Sequence, residues 1–146
     1  MSTNTWDEQP LEVPPDAPKI TRAKTERTFT GDVNGKGRYT DFQCLFADTS
    51  LQGVAFYNLV YHPEGAYENL TGTASFVGMT YFSGEIKGKG KGTIVLNGRG
   101  IYSREEGPTA VWETDPKTGT GDLAGLKATG GYKGFKGDTV TLEIAA

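Results

Sequence analysis

The chain has 146 residues with a formal charge of −3, 36% hydrophobic residues, one cysteine and one histidine. That length suits one domain with a real core. The charge gives no basic field for nucleic acid, the single cysteine excludes an intrachain disulfide, and the single histidine excludes a His-rich metal cage. No apolar run is long enough for a membrane-spanning helix, and the first residues lack the basic and apolar regions of a secretory signal, so a cytoplasmic location is expected. Glycine, at 21 residues, is used at about twice the normal frequency.

In chain order, residues 1–19 read as an extended arm, with Pro10, Pro14, Pro15 and Pro18 among acids and Trp6 as the one large anchor. Residues 20–146 read as a single all-β domain. Short strands are expected near 20–33, 36–47, 52–62, 72–87, 91–103, 108–114 and 138–144, and no segment shows a helical stripe. Turn residues separate them at Asp48-Thr-Ser50, Pro63-Glu-Gly65, Glu105-Glu-Gly-Pro108 and Asp115-Pro-Lys-Thr-Gly119.

Phe29-Thr-Gly-Asp-Val-Asn-Gly-Lys-Gly-Arg38 and Phe82-Ser-Gly-Glu-Ile-Lys-Gly-Lys-Gly-Lys91 are near-copies, and Tyr132-Lys-Gly-Phe-Lys-Gly-Asp138 is a weaker echo. Each alternates apolar and polar residues at the strand period before a Gly-x-Gly that lets the backbone bend or bulge. Repeated bends predict a small, closed, strongly curved antiparallel sheet, a β-barrel. Phe42, Cys44 and Phe46 share one strand face, and Tyr57, Leu59 and Tyr61 share another, yet the opposite faces are also partly apolar. A sheet covered on both sides follows, by a lumen inside and by the arm, the C-terminal segment or another subunit outside, which points to a homo-oligomer, a dimer or trimer.

The ordered motifs Trp6-Asp-Glu8, Thr21-Arg-Ala23, Phe29-Thr-Gly-Asp32, Thr73-Ala-Ser-Phe-Val-Gly78, Ser83-Gly-Glu85, Gly92-Thr-Ile-Val-Leu96 and Thr118-Gly-Thr-Gly-Asp-Leu-Ala-Gly125 resemble domain-of-unknown-function family 3224. That family is similar in fold to the allene oxide cyclases, which implies an eight-stranded barrel with a lumen. The chain departs from the family pattern at Thr80, where a glutamate is common, and at Gly98, where a histidine often stands. The family carries no established activity, but an aromatic-walled barrel similar to the allene oxide cyclases is expected to act as a cofactor-independent cyclase or isomerase on a small, largely apolar molecule of secondary metabolism: a polyene, a polyketide or an oxidised lipid. Orienting such a substrate can supply much of the rate effect.

The residues offer several polar groups for that chemistry. Glu85 shares a face with Tyr81 and Ser83 and would act as acid or base if inward, although its match to Asp32 in the repeat favours a structural role. His62 sits at a strand end beside Tyr61, Glu64 and Tyr67 and titrates near neutrality; before a proline, a turn role is the commoner one. Arg99, sharing a face with Asn97, would clamp a carboxylate or enolate if inward and merely solubilise if outward. Trp112 is expected in the wall and Glu113, its neighbour, on the surface. The catalytic candidates are therefore Glu85, His62, Arg99 and Asn97. The substrate-contacting candidates are Phe42, Cys44, Phe56, Tyr57, Tyr61, Tyr81, Tyr102 and Trp112, with no metal site. The same lumen without chemistry would make a lipocalin-like carrier, and a filled interior would make a structural or assembly module.

Overall fold

The computed structural model describes residues 2–28, 42–43, 52–86, 88–133 and 139–145. One antiparallel sheet runs through them. Its strands are β1 (Ser2–Pro10), β2 (Ile20–Thr28), β3 (Phe42–Gln43), β4 (Gln52–Tyr61), β5 (Ala74–Ile86), β6 (Gly90–Ser103), β7 (Gly107–Asp115), β8 (Ala128–Lys133) and β9 (Thr139–Ile144). The order is β1-β2-β4-β5-β6-β7-β8-β9, and β3 pairs with β5 beyond the end of β4. The expected closed barrel is not formed. β1 and β9 are the two ends of the path, and among the described residues no pairing joins them, so the sheet curls but stays open.

Its curvature rests on an arrangement of glycines and rings. On the inner face, register aligns Ala23, Tyr57, Gly78, Gly98, Trp112, Gly130 and Leu142 in one row across seven strands. The next row runs Leu59, Phe76, Gly100, Ala110, Tyr132. Large rings thus oppose glycines. A Cβ on Gly78 would lie 2.6 Å from the Tyr57 ring, and one on Gly100 would lie 2.7 Å from the tip of the Phe76 ring, so each ring lies over the bare backbone of its partner strand. Tyr57 and Phe76 meet edge to face at 5.4 Å, and Trp112 and Tyr132 pack at 5.3 Å. Tyr57, Phe76, Trp112 and Tyr132 are all buried, together with Phe82, Ile94, Leu96 and Leu142. Side chains of this size each contribute about 1.5–3 kcal/mol on burial. Glycines, read from sequence as turns and strand bends, thus also stand inside strands opposite large rings, at Gly78, Gly98, Gly100 and Gly130.

The Gly-x-Gly of the second repeat copy is a hairpin turn. Gly88 and Gly90 take φ of 79° and 115°, and the Lys89 amide donates to the Ile86 carbonyl as β5 passes into β6. The first copy lies outside the described residues apart from its approach along β2.

The Thr118-to-Gly125 run was expected to be a turn and bend closing a barrel; instead it finishes an edge. β7 pairs with β6 only from Val95 onward, so the first residues of β6 have β5 on one side and, among the described residues, no strand on the other. Two short 3-10 turns, Pro116–Thr118 and Gly121–Leu123, lie alongside. The amides of Lys91, Thr93 and Val95 donate in turn to the side chains of Asp122 (3.0 Å), Thr120 (3.1 Å) and Thr118 (2.9 Å). Side chains thus satisfy alternate strand amides that a ladder would otherwise take. Leu123 fills the core beneath them, fully buried.

β8 was missed in the sequence because Thr129-Gly-Gly lacks apolar alternation, yet those glycines face Trp112 and Val111. Gly100→Ala is expected to destabilise the protein by at least about 1–3 kcal/mol, because its Cβ would also lie 2.1 Å from the Thr109 carbonyl oxygen. Gly65→Ala, where a Cβ meets nothing within 4 Å but φ is 82°, should cost less. Urea midpoints of the two variants, compared with the parent, check this ordering.

Candidate functional site

Alternation sorts the sequence candidates onto two faces. Tyr57, Tyr61, Tyr102 and Trp112 point to the inner side, where Tyr57 and Trp112 are buried and Tyr61 and Tyr102 pack half-buried against the core. Phe56, Tyr81, Asn97 and Arg99 stand exposed on the outer face. Glu85, half-buried, also lies on that outer side, in register with Lys91. Glu113 is exposed there too. Phe42 is placed by its backbone in β3, and Cys44 falls outside the described residues. The ten candidates whose side chains are described therefore do not converge on one cavity.

Asn97 and Arg99 do come together in one outer-face groove, and His62 stands on the same face at the end of β4, beside the start of β5. His62 follows β4, and its amide donates to the Thr73 carbonyl at 3.0 Å, which carries the strand pairing one step further. Its ring bridges two hydroxyls, with Nδ1 at 3.0 Å from Thr73 Oγ1 and Nε2 at 2.8 Å from Ser75 Oγ. With Nδ1 protonated, the ring donates to Thr73 and accepts from the Ser75 hydroxyl, leaving Nε2 the basic atom. Tyr67 packs on the ring at 5.4 Å.

Ser75 lines a groove of about 650 Å³ with Tyr67, Leu70, Val77, Ile101 and Val111 as apolar walls, Arg99 and Lys133 as cations, and Glu106. A second groove of about 570 Å³ shares Val77, Arg99 and Val111 and continues over Asn97, Gly98, Glu113 and Gly130. Arg99 thus stands where the two meet. The loop bearing Tyr67 and Leu70 is tied down by Glu105, whose carboxylate accepts from the Thr71 amide at 2.9 Å and the Thr71 hydroxyl at 2.5 Å. Those two hydrogen bonds hold the Glu105 carboxyl below its usual range. Asn69 and Gly72 turn this loop through φ of 62° and 56°. Tyr67 was noted in the sequence only as a neighbour of His62, and Ser75 was not proposed for the site. The available signal was that Ser75 is two residues from Thr73, so both reach one side of a histidine at the neighbouring strand end.

A second polar cluster sits on the inner side of β1. Glu8 Oε1 accepts from the hydroxyls of Thr21 (2.6 Å) and Tyr61 (2.5 Å), and Oε2 accepts from the Trp6 indole N–H (3.0 Å). Trp6, half exposed, stacks on Tyr57 at 6.5 Å, and the Lys19 ammonium lies 4.8 Å over the Tyr61 ring. Burial alone would raise the Glu8 pKa, but the hydrogen bonds from Thr21, Tyr61 and Trp6 outweigh it and hold the carboxyl below its usual range. Burial, and next the bond to Glu8, push the Tyr61 phenol up to about 12. A low carboxylate and a high phenol stay anionic and neutral throughout the physiological range. They hold β1 on the sheet and are poorly matched to proton transfer at neutral pH.

The model of the family described as a protein of unknown function, DUF3224, matches residues 1–145. The chain belongs to this family. Among solved structures, the chain is similar to a DUF3224 family protein of unknown function from Shewanella oneidensis MR-1. That protein is 17% identical with a TM-score of 0.59, and the match covers 99% of this chain and 94% of the other. The likeness shows a shared DUF3224 fold. No curated protein matches the chain. Among the described residues no helix is long and apolar enough to cross a membrane, and no group of three or more metal-ligating side chains occurs.

The Glu8 cluster predicts a two-sided pH profile. Glu8 is depressed on folding, so its stabilisation is present above pH 4.5 and is lost as pH falls through the lower folded value. Tyr61 is raised, so its share is present below pH 10 and is lost as pH climbs through about 12. Glu8→Gln should lower stability by about 1 kcal/mol at pH 7, solvent screening discounting a carboxylate that is only partly buried. The gap to the parent should close toward pH 3. Thermal melts of both proteins from pH 3 to 12 measure it.

Proposed function

We propose that this protein binds a small, largely apolar molecule carrying an anionic group, and that it does so in the outer-face groove at Arg99. The observation that carries this reading is the groove itself: about 650 Å³, walled by Tyr67, Leu70, Val77, Ile101 and Val111, with Arg99 and Lys133 both lining it. Pockets of this size with mostly apolar walls and few polar groups suit drug-sized ligands. Arg99 would take a carboxylate through its planar fork, and Lys133 would add a point charge. A fatty acid or an oxidised lipid acid has that chemistry. The interior of the sheet supports the reading by contrast, because its rings are already packed on one another and on glycines.

A second reading adds chemistry at the same place. The His62 Nε2 to Ser75 hydroxyl contact at 2.8 Å favours it, since Thr73 holds the other ring nitrogen and Ser75 opens on the groove. In this reading Nε2 accepts a proton from a carbon beside a carbonyl, with Ser75 as relay, and returns it at another carbon. The product has the mass of the substrate, so the reaction is an isomerisation that needs only acid–base groups. Such a base contributes about 10²–10⁴ in rate.

Decanoate and decanol, titrated calorimetrically, test the binding reading. Decanoate should bind, decanol should bind more weakly, and Arg99→Ala should weaken decanoate about tenfold while leaving decanol nearly unchanged. Equal binding of both, or none, would overturn it. For the chemistry, oxidised fatty acids incubated with the parent and with His62→Gln should differ in same-mass products by about 10²-fold or more. Identical product profiles from both would leave a carrier.

A further inference from the structure

The outer face carries a pattern whose apolar centre shares Val77 with the ligand groove but otherwise lies outside it. In register across the sheet stand Asp7, Lys24, Phe56, Met79, Asn97, Glu113, Thr129 and Glu143. The centre is apolar and uncovered: Phe56 is 45% exposed, Val77 57%, Met79 51% and Tyr81 46%. These side chains are contiguous, since Phe56 pairs with Met79 and Val77 and Tyr81 flank it along β5. Single exposed apolar residues need no explanation, but four large ones in one patch mark an interaction surface. Charges of both signs flank them, with Asp7 in register beside Lys24, and with Arg99 and Lys133 exposed on the side of Glu113. Lys24 and Arg22 stand exposed on β2 to one side, and Glu113 and Glu143 stand on β7 and β9 to the other. Among the described residues no ion pair joins Lys24 or Arg22 to those acids within the chain.

We propose that the partner for this face is a second copy of the chain, docked about a twofold axis that runs along β5. The pattern fits its own reverse. Rotation about β5 exchanges the two flanks, because β4 and β6 are one strand from the axis on either side, and β2 and β7 are two. Val77 and Met79 then meet their own copies, and Lys24 of one protomer faces Glu113 of the other, twice. A twofold interface is self-complementary in this way, with residue i against j and j against i. An apolar centre with a charged rim is the anatomy of a stable interface, and the rim sets register and suppresses other pairings. A basic partner would meet Lys24 and Arg22, and an acidic one Glu113 and Glu143, whereas a second copy sets Lys24 against Glu113 at matched offsets of two strands from β5. The same docking lays the partner's β4 over β6, above the open side of the Arg99 groove. The inference does not depend on the ligand reading, since Met79 does not line that groove.

Sedimentation velocity of the full chain over about 1–100 μM decides it, a range that brackets micromolar affinities. The expected result is a monomer–dimer equilibrium. Met79→Glu, which sets two carboxylates on the axis, should abolish the dimer while circular dichroism and the melting temperature stay those of a folded protein. Lys24→Glu and Glu113→Lys should each weaken association about tenfold or more, and the double reversal should restore it to within about threefold. A monomer across the whole range, a trimer, a dimer indifferent to Met79→Glu, or a double variant as weak as both singles combined would each overturn the proposal. Decanoate titration of Met79→Glu separates the two readings: binding retained with the dimer lost supports both, and binding absent from parent and variant alike sinks only the ligand reading.

Discussion

Aromatic rings lying on glycine backbone are the contact on which this fold depends. Tyr57 over Gly78 and Phe76 over Gly100 let two large side chains lie close to the sheet instead of standing off it. Trp112 has Gly98 on one side and Gly130 on the other. Where a ring of this size meets a bare neighbour, the strands can coil tightly and the concave side fills with few residues. A chain with 21 glycines can therefore still hold a dense interior, because the missing side chains make room for large ones.

Filling the inner side moves the interesting chemistry outward. The inner row is closed by packing, and the polar groups that remain inside, such as Glu8 with Thr21 and Tyr61, bind one another. Groups that face ligand-sized space stand on the opposite face, where Ser75 and Arg99 line one groove and His62 reaches it through Ser75. The rigid ladder beneath them fixes their spacing, since β5 and β6 pair continuously from Ala74 with Tyr102 to Ile86 with Gly90. A site built on paired strands is held more accurately than one on loops alone.

Much of the strand content was legible. Period-two alternation located β4, β5, β6, β7 and β9 to within a residue or two, because each carries buried side chains on one face. Closure was not legible. It depends on whether the first and last strands reach each other, and no local pattern in Ser2–Pro10 or Thr139–Ile144 encodes that. Which face Arg99 and Asn97 take stayed open for a related reason: β6 has apolar residues on both sides, with Val95 and Ile101 outward and Ile94 and Leu96 inward. Glu8 escaped notice inside a proline-rich arm whose own sequence shows no reason for it to be paired. Its partners are 13 and 53 residues away, and only the fold brings them to it.

The arm itself ends the sheet, and that has a consequence for how copies of this chain can meet. β1 and β9 each carry one side with no ladder partner among the described residues. A strand edge of that kind can template another strand, and because the two edges differ, joining β1 of one copy to β9 of the next would repeat without closing and grow a filament. Pro10 removes an amide donor from β1, and Asp7 and Glu8 put charge beside it. Those residues make strand addition at β1 a poor fit, so the polymer that an unclosed sheet permits is blocked at the first strand of the chain.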